Sequence, residues 1–331
     1  MTGDLRLLLR VLWLFRPYGW WMALGVLLAC LTVLANVGLM AVAGGFIASM
    51  AIAGLADGMM NYFLPAAAIR LLAIIRTGGR YAERLISHEA TFRLLARLRL
   101  WLFWKMEPLA PAGLQDHRGA DLTSRIQSDI DTLQHAYLRL FTPIAVALIA
   151  LVVIGTIIAL YSGEAALWVL ALLLVAGAIV PGLVLRATAA PAAAIVDTRA
   201  EMRIAVVDAL QGITDIKLFG DSARNAGELA RLGEQLGSNK LRVASLGSLS
   251  ENMIGFCAGL AMWGATLIAI VAACRGTLAR FEVPVLTLAA LASFEAVASI
   301  PLALQRLGEV VAAARRIFAL ADATPAIAPG S

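Results

Sequence analysis

The sequence predicts an all-α membrane protein: six transmembrane helices with long helical extensions outside the bilayer. Three observations carry that reading. Hydrophobic residues make up 61% of the chain and charged residues 15%, with a mean hydropathy of +0.84. A soluble domain is nearer half apolar and a quarter charged, so lipid is the expected solvent. Six stretches approach the ~20 apolar residues that a span requires. Between them, residues 80–142 and 186–252 are too polar to cross a membrane yet keep a helical period.

The first eighteen residues form an amphipathic stretch with Asp4, Arg6, Arg10 and Arg16 on its polar side and Leu and Trp13 on the other. No small-residue cleavage site follows, so this is a helix lying on the membrane surface and not a cleaved signal. Arg16-Pro17 then turns the chain inward. The expected spans are 20–42, 59–79, 143–161, 165–185, 253–273 and 283–304. Trp20 and Trp21 open the first at the interface. Arg70 and Arg76 interrupt the second, and Glu295 lies in the sixth. Ser162, Gly163 and Glu164 alone separate spans three and four, which makes a tight hairpin. In the first long gap Phe92, Leu95, Leu98 and Leu102 recur three or four apart. A helical run of twenty-five such residues reaches on the order of 35–40 Å beyond the membrane.

Charge distribution sets the expected orientation. Of 27 Lys and Arg residues, only Arg70, Arg76, Arg275 and Arg280 lie within span two or between spans five and six. The others fall in the N-terminal segment, the two long gaps, or at and after the end of span six. Both gaps and both termini are therefore expected in the cytoplasm. The net charge of +5 follows from that bias. No basic tract is interleaved with exposed aromatics, which argues against nucleic acid as a partner. Cys30, Cys257 and Cys274 make no CxxC and no metal spacing. Asn36, Gly38, Gly44 and Gly45 permit close helix approach in and after span one. Residues 321–331 are Ala/Pro-rich and read as a linker. There is no G-x-x-x-x-G-K-[ST], HExxH or GxSxG motif, so no nucleotide-binding or catalytic site is expected in this stretch.

Arg76, Arg80, Arg84 and His88 are spaced four apart and form one stripe on a helix, drifting about 40° per step. Ionisable residues near membrane depth usually face a cavity or a partner. Glu83 can pair with Arg80, and Glu89 lies near Arg93, so the stripe keeps excess positive charge. That suits an anionic ligand such as haem propionates or the carboxylates of glutathione, which the planar guanidinium binds bidentately. Arg70 has no anion within four residues, and Glu295 is its expected partner across a cavity. The plainer alternatives are a positive-inside boundary for the arginines and a protonated, packed carboxyl for Glu295. His88 suits a haem axial ligand or a histidine at the cytoplasmic interface. His117 and His135 sit in the first loop, so two histidine ligands from one chain are not expected.

GADLTSRIQSDIDTL (Gly119 to Leu133) resembles the first-loop pattern of ABC exporters, G-[ED]-L-x-x-R-x-x-x-D-[IV]. ALQGITDIKLFG (Ala209 to Gly220) resembles their second-loop pattern. NYFLPAAAIR, RTGGRYAERLISHEATFRLL, PLAPAGL and FEAVASIPLALQRLGEV are similar to the CydC-type subunit of CydDC heterodimeric exporters. The resemblance covers nearly the whole chain and is most specific from Arg76 to Leu95. It implies the ABC exporter (type 1) transmembrane fold, with residues 1–18 as the elbow helix, 19–320 as the transmembrane domain and 321–331 leading to a nucleotide-binding domain.

It also implies short coupling helices, with Gly119, Asp121, Arg125 and Asp129 in one loop and Gly212, Asp215, Lys217 and Phe219 in the other. ATP would be bound by the nucleotide-binding domains, and a CydD-like half-transporter would be the partner. The location implied is the bacterial inner membrane. The implied cargo is haem or a low-molecular-weight thiol (cysteine or glutathione) in support of cytochrome bd assembly, with haem favoured and His88 its iron ligand. A non-transporting haem-binding scaffold, or a generic lipid or drug exporter, are the competing readings.

Overall fold

The computed structural model describes residues 2–56, 58–109, 127–133, 136–219 and 222–323, and their regular structure is entirely helical. α1 (Thr2–Phe15) runs into a 3-10 turn at Arg16–Tyr18. Pro17 fits there because the first turn of a helix needs no donor from its backbone nitrogen. α2 (Gly19–Leu55) and α3 (Phe63–Met106) follow. α4 (Thr142–Tyr161) and α5 (Gly163–Leu174) form the expected hairpin, with Ser162 Oγ accepting from the Ala165 N–H at 3.3 Å as an N-cap. A π-helical turn at Val175–Ile179 leads into α6 (Val180–Gln211). The short α7 (Ile213–Phe219) joins it to α8 (Ser222–Cys274). α9 (Glu282–Ser293) and α10 (Ile300–Ala321) complete the order.

Five helical runs are long and apolar enough to cross a membrane: Arg6–Leu55, Gln127–Tyr161, Gly163–Gln211, Ala223–Cys274 and Glu282–Ala321. The chain is a multi-pass membrane protein. α3, which holds residues 63–79 of the expected second span, is not among the five, because its first eighteen residues already hold Arg70, Arg76 and Arg80. At 1.5 Å per residue its 44 residues extend about 66 Å, about twice the thickness of a hydrocarbon core. The sixth expected span is also not a continuous helix. It breaks after Ser293 into a 3-10 turn at Phe294–Ala296, and helix resumes at Ile300. Pro301 supplies the reason: it has no N–H, and its ring clashes with the carbonyl four residues earlier.

Two apolar cores form. One lies among α2, α4, α5, α8 and α9, and is rich in small residues: Ala150, Ala165, Ala261, Ala265, Ala269 and Ala290 are all essentially inaccessible. Small side chains let helices approach closely where lipid provides no hydrophobic drive between them. Leu27, Ile47, Leu160, Leu167, Trp263 and Leu267 are exposed on the outer faces of the same helices, as a bilayer solvent requires. The second core gathers Val11 and Phe15 of α1 with Leu94, Leu98 and Leu102 of α3, Leu133, Tyr137, and Val310, Ile317 and Phe318 of α10. α1 thus buries Val11 and Phe15 against the protein and leaves Leu9 and Trp13 exposed.

Gly44 shows how tightly α2 and α9 meet. A Cβ there would stand 2.8 Å from the Pro284 carbonyl oxygen and 2.8 Å from a Leu288 methyl. Backbone cannot yield as a side chain can, so Gly44→Ala should cost about 1–3 kcal/mol. It should lower the thermal midpoint of the detergent-solubilised protein. Gly54→Ala, in open space on the same helix, should leave it unchanged or raised.

Candidate substrate site

α3 lies along α2, and Gly79 is the reason it can lie so close. A Cβ at Gly79 would come within 2.9 Å of Thr32 Oγ1, whereas Gly78 faces open space. Arg76 and Arg80 together with Leu39, Ala73, Thr77, Tyr81 and Arg84 line a cavity of about 370 Å³. Arg76 is half-buried, while Arg84 and His88 are exposed. The His88 ring stands 6.2 Å from that of Phe92.

Among the described residues, neither Arg76 nor Arg84 has a carboxylate partner. Arg80 does: its guanidinium donates to Glu295 Oε1 at 3.1 Å. Asn36 of α2 donates through its side-chain amide to the other oxygen of Glu295. Glu295 sits on the 3-10 turn that interrupts the sixth span. It therefore joins α2, α3 and the helix break in one polar cluster. The expected partner of Glu295 was Arg70, but Arg70 lies exposed ten residues back on α3, about 15 Å along the helix axis. Glu83 accepts a hydrogen bond from Ser87 Oγ at 3.0 Å. Glu89 pairs with Arg93 at 2.7 Å, and Arg93 also lies over the Trp21 ring at 4.8 Å. The member of this polar cluster missed in the sequence is Asn36, which reads there as a small packing residue.

A second cavity, of about 360 Å³, opens on the other side of Arg80. Thr32, Glu83, Thr142, Glu295 and Ser299 line it with Arg80. Arg80 is thus a shared wall, with cations on one side and carboxylates on the other.

Of the coupling residues implied by resemblance, Gly119, Asp121 and Arg125 lie outside the described residues, as do His117 and His135. Asp129 is buried, and its carboxylate takes two hydrogen bonds from Arg316 of α10, at 2.8 and 2.5 Å. Gly212 closes α6, its N–H bonded to the Asp208 carbonyl at 2.8 Å. Lys217 is exposed on α7. Asp215 and Phe219 belong to the same short helix, and their side chains lie outside the described set. A cavity of about 550 Å³ separates the ends of α6 and α8 beside α7.

An all-helical, multi-pass membrane chain with helices running far past the bilayer and a short helix at the tip of one long pair fits the transmembrane fold of ABC exporters. A protein of Escherichia coli (strain K12) named glutathione/L-cysteine transport system ATP-binding/permease protein CydC is 36% identical over 328 residues, covering 98% of this chain and 56% of the relative. Its namesake in Haemophilus influenzae is 31% identical over 325 residues, again 98% of this chain and 56% of the relative. The CydD protein of Bacillus subtilis (strain 168), a named component of a glutathione/L-cysteine transport system, is 27% identical over 176 residues, 53% of this chain. No family model matches the chain. The chain is a CydC homologue along almost its whole length and covers the transmembrane part of those ABC permeases. It spans 56% of the length of the two CydC relatives.

Proposed function

We propose that this chain is the transmembrane subunit of an ATP-driven ABC exporter that moves a low-molecular-weight thiol, glutathione or cysteine, out of the bacterial cytoplasm. A CydD-like half-transporter is the partner, and the complex resides in the inner membrane with both termini and the long helical ends cytoplasmic. ATP is bound by nucleotide-binding domains that dock at α7 and at the first long loop. The exported thiol supports cytochrome bd assembly. The observation that carries the reading is the pair of cavities meeting at Arg80. Among the described residues Arg76 and Arg84 have no carboxylate partner, and a guanidinium matches a carboxylate bidentately. The names of the CydC relatives point to the same cargo.

Haem is the second reading. Its support is His88, exposed beside Phe92 at the end of the stripe, where a neutral imidazole nitrogen could meet iron. Haem propionates would use the same arginines.

Inside-out vesicles carrying the protein with its CydD-like partner should accumulate labelled glutathione when ATP is supplied. Deleting Ile216 and Lys217 from α7 should abolish that uptake while leaving ligand binding intact. ATP-driven accumulation of haem with no thiol uptake, lost in His88→Ala, would overturn the thiol reading. Ligand binding with no ATP-driven uptake of either compound would replace transport by a scaffold.

A further inference from the structure

We propose that Arg80, Glu83 and Glu295 form a receptor for the zwitterionic head of an α-amino acid. Arg80 takes the α-carboxylate, and the two glutamates take the α-ammonium. This rests on the thiol-export reading and narrows it: the protein recognises the amino-acid end of its cargo separately from its other carboxylate.

Two oppositely charged half-sites share one residue. Arg76, Arg80 and Arg84 line the first cavity, and Glu83 and Glu295 line the second. A ligand bearing only anions would gain from the first and be repelled by the second. A ligand bearing an ammonium beside a carboxylate fits the junction, because both groups hang from one carbon and must be answered by charges of opposite sign a few ångströms apart. Arg80 and Glu295 already hold that spacing by pairing at 3.1 Å. Their side chains are 48% and 32% exposed, so the pair is wet enough to exchange one partner for a ligand group at small cost.

The surroundings supply acceptors in excess, as an ammonium requires. A primary ammonium carries three donors and no acceptor. Glu83 and Glu295 offer carboxylate oxygens. The Thr142 hydroxyl lines the same cavity and is buried beside the Tyr137 hydroxyl. Asn36, behind Glu295, is 6% exposed and leaves its side-chain oxygen without a donor. Buried polar atoms in a native fold are rarely left unpaired, and this one belongs to the amide that already binds Glu295. The carboxylate itself is presented by the break in the sixth span, the kind of discontinuity that forms ligand sites in transporters.

One helical turn, about 6 Å of rise, separates Arg80 from Arg76 on one side and from Arg84 on the other. A tripeptide with its amino-acid head at Arg80 can therefore lay its far carboxylate on either neighbour. Free cysteine would use the Arg80 junction alone.

Calorimetric titration of the complex with its CydD-like partner in lipid nanodiscs tests this with two ligands. One is glutathione. The other is the same compound lacking only its α-amino group. Glutathione should bind about tenfold tighter, the scale of one charge-assisted hydrogen-bonded contact. Glu295→Gln and Glu83→Gln should each weaken glutathione by a similar factor and leave the deaminated ligand unchanged. Equal affinity of the unmodified complex for both ligands would overturn the proposal without touching the thiol reading, and needs no variant to fold. Variants that weaken both ligands alike would also overturn it. Binding of haem with none of glutathione would overturn both.

Discussion

Replacing Arg76 and Arg84 together by glutamate should lower glutathione affinity and ATP-driven uptake by about a hundredfold or more, since the charge-assisted contact to the far carboxylate, worth roughly 1.5–3 kcal/mol, is lost and repulsion replaces it. Both guanidinium groups line the cavity beside Arg80 and neither has a carboxylate partner among the described residues. The reversal therefore breaks no ion pair within the chain, and it places two anions where the ligand's carboxylate would sit. The thermal midpoint should hardly move. The paired glutamine variant should lie between, because it removes attraction without adding repulsion. Uptake measured in vesicles and melting measured in detergent separate the two effects. If the doubly reversed protein still transports glutathione, the stripe is a positive-inside boundary and the thiol site lies elsewhere. A variant that no longer folds would show that the arginines answer to the lipid interface.

The membrane fold was legible because composition and run length report solvent directly. No particular tertiary contact is needed to see that residues 143–161 or 253–273 belong in lipid. The long helices were legible for a similar reason: Leu95, Leu98 and Leu102 keep one period and become one buried face, although Phe92, counted in the same series, stays exposed. The stripe followed from helical geometry alone, since residues four apart must share a side.

Register between helices was not legible. Nothing local to residue 295 says that Arg80, and not Arg70, will stand opposite it. That depends on how far α3 and α9 each slide along α2, which Gly79 against Thr32 and Gly44 against Pro284 decide. Glu83 offered another case. Its spacing suggested Arg80, but the helix carries Ser87 one turn on, and the hydroxyl reaches the carboxylate. The break at Phe294–Ala296 had a visible cause in Pro301. An apolar run twenty-two residues long nonetheless reads as one span, because hydropathy carries no information on backbone continuity. Asn36 was hidden for the same reason as Glu295's true partner: a polar side chain among glycines and alanines looks like a packing choice until a carboxylate from another helix arrives.

Removing the arginine of the Asp129–Arg316 pair should destabilise the protein more than removing the aspartate. Asp129 is 8% exposed and Arg316 is 51% exposed, although they share the same two hydrogen bonds. Arg316→Met strands a buried carboxylate, a cost of about 2–4 kcal/mol, held below the fully buried case by the open side of the pair. Asp129→Asn strands a guanidinium that can turn to water, at about 1 kcal/mol. Denaturation of both variants and the double variant, read as a thermodynamic cycle, gives the order and the coupling; equal losses, or a larger loss for Asp129→Asn, would sink the idea that burial sets the asymmetry. The same pair has a mechanical place. It ties residues 127–133 to α10, while Arg10 ties α1 to Asp322 by two hydrogen bonds of 2.6 and 2.5 Å and covers Phe318 at 4.3 Å. Arg10 holds the Asp322 carboxyl below its usual range. A carboxyl with its folded value depressed adds stability above its unfolded value, near pH 4, and loses it as pH falls through the lower folded value. That arm is therefore closed at neutral pH. The two pairs together link α1, residues 127–133 and α10. Arg316→Met, which frees the loop from α10, should let ATP turnover continue while glutathione uptake falls, whereas a stiff body coupled elsewhere would lose both together.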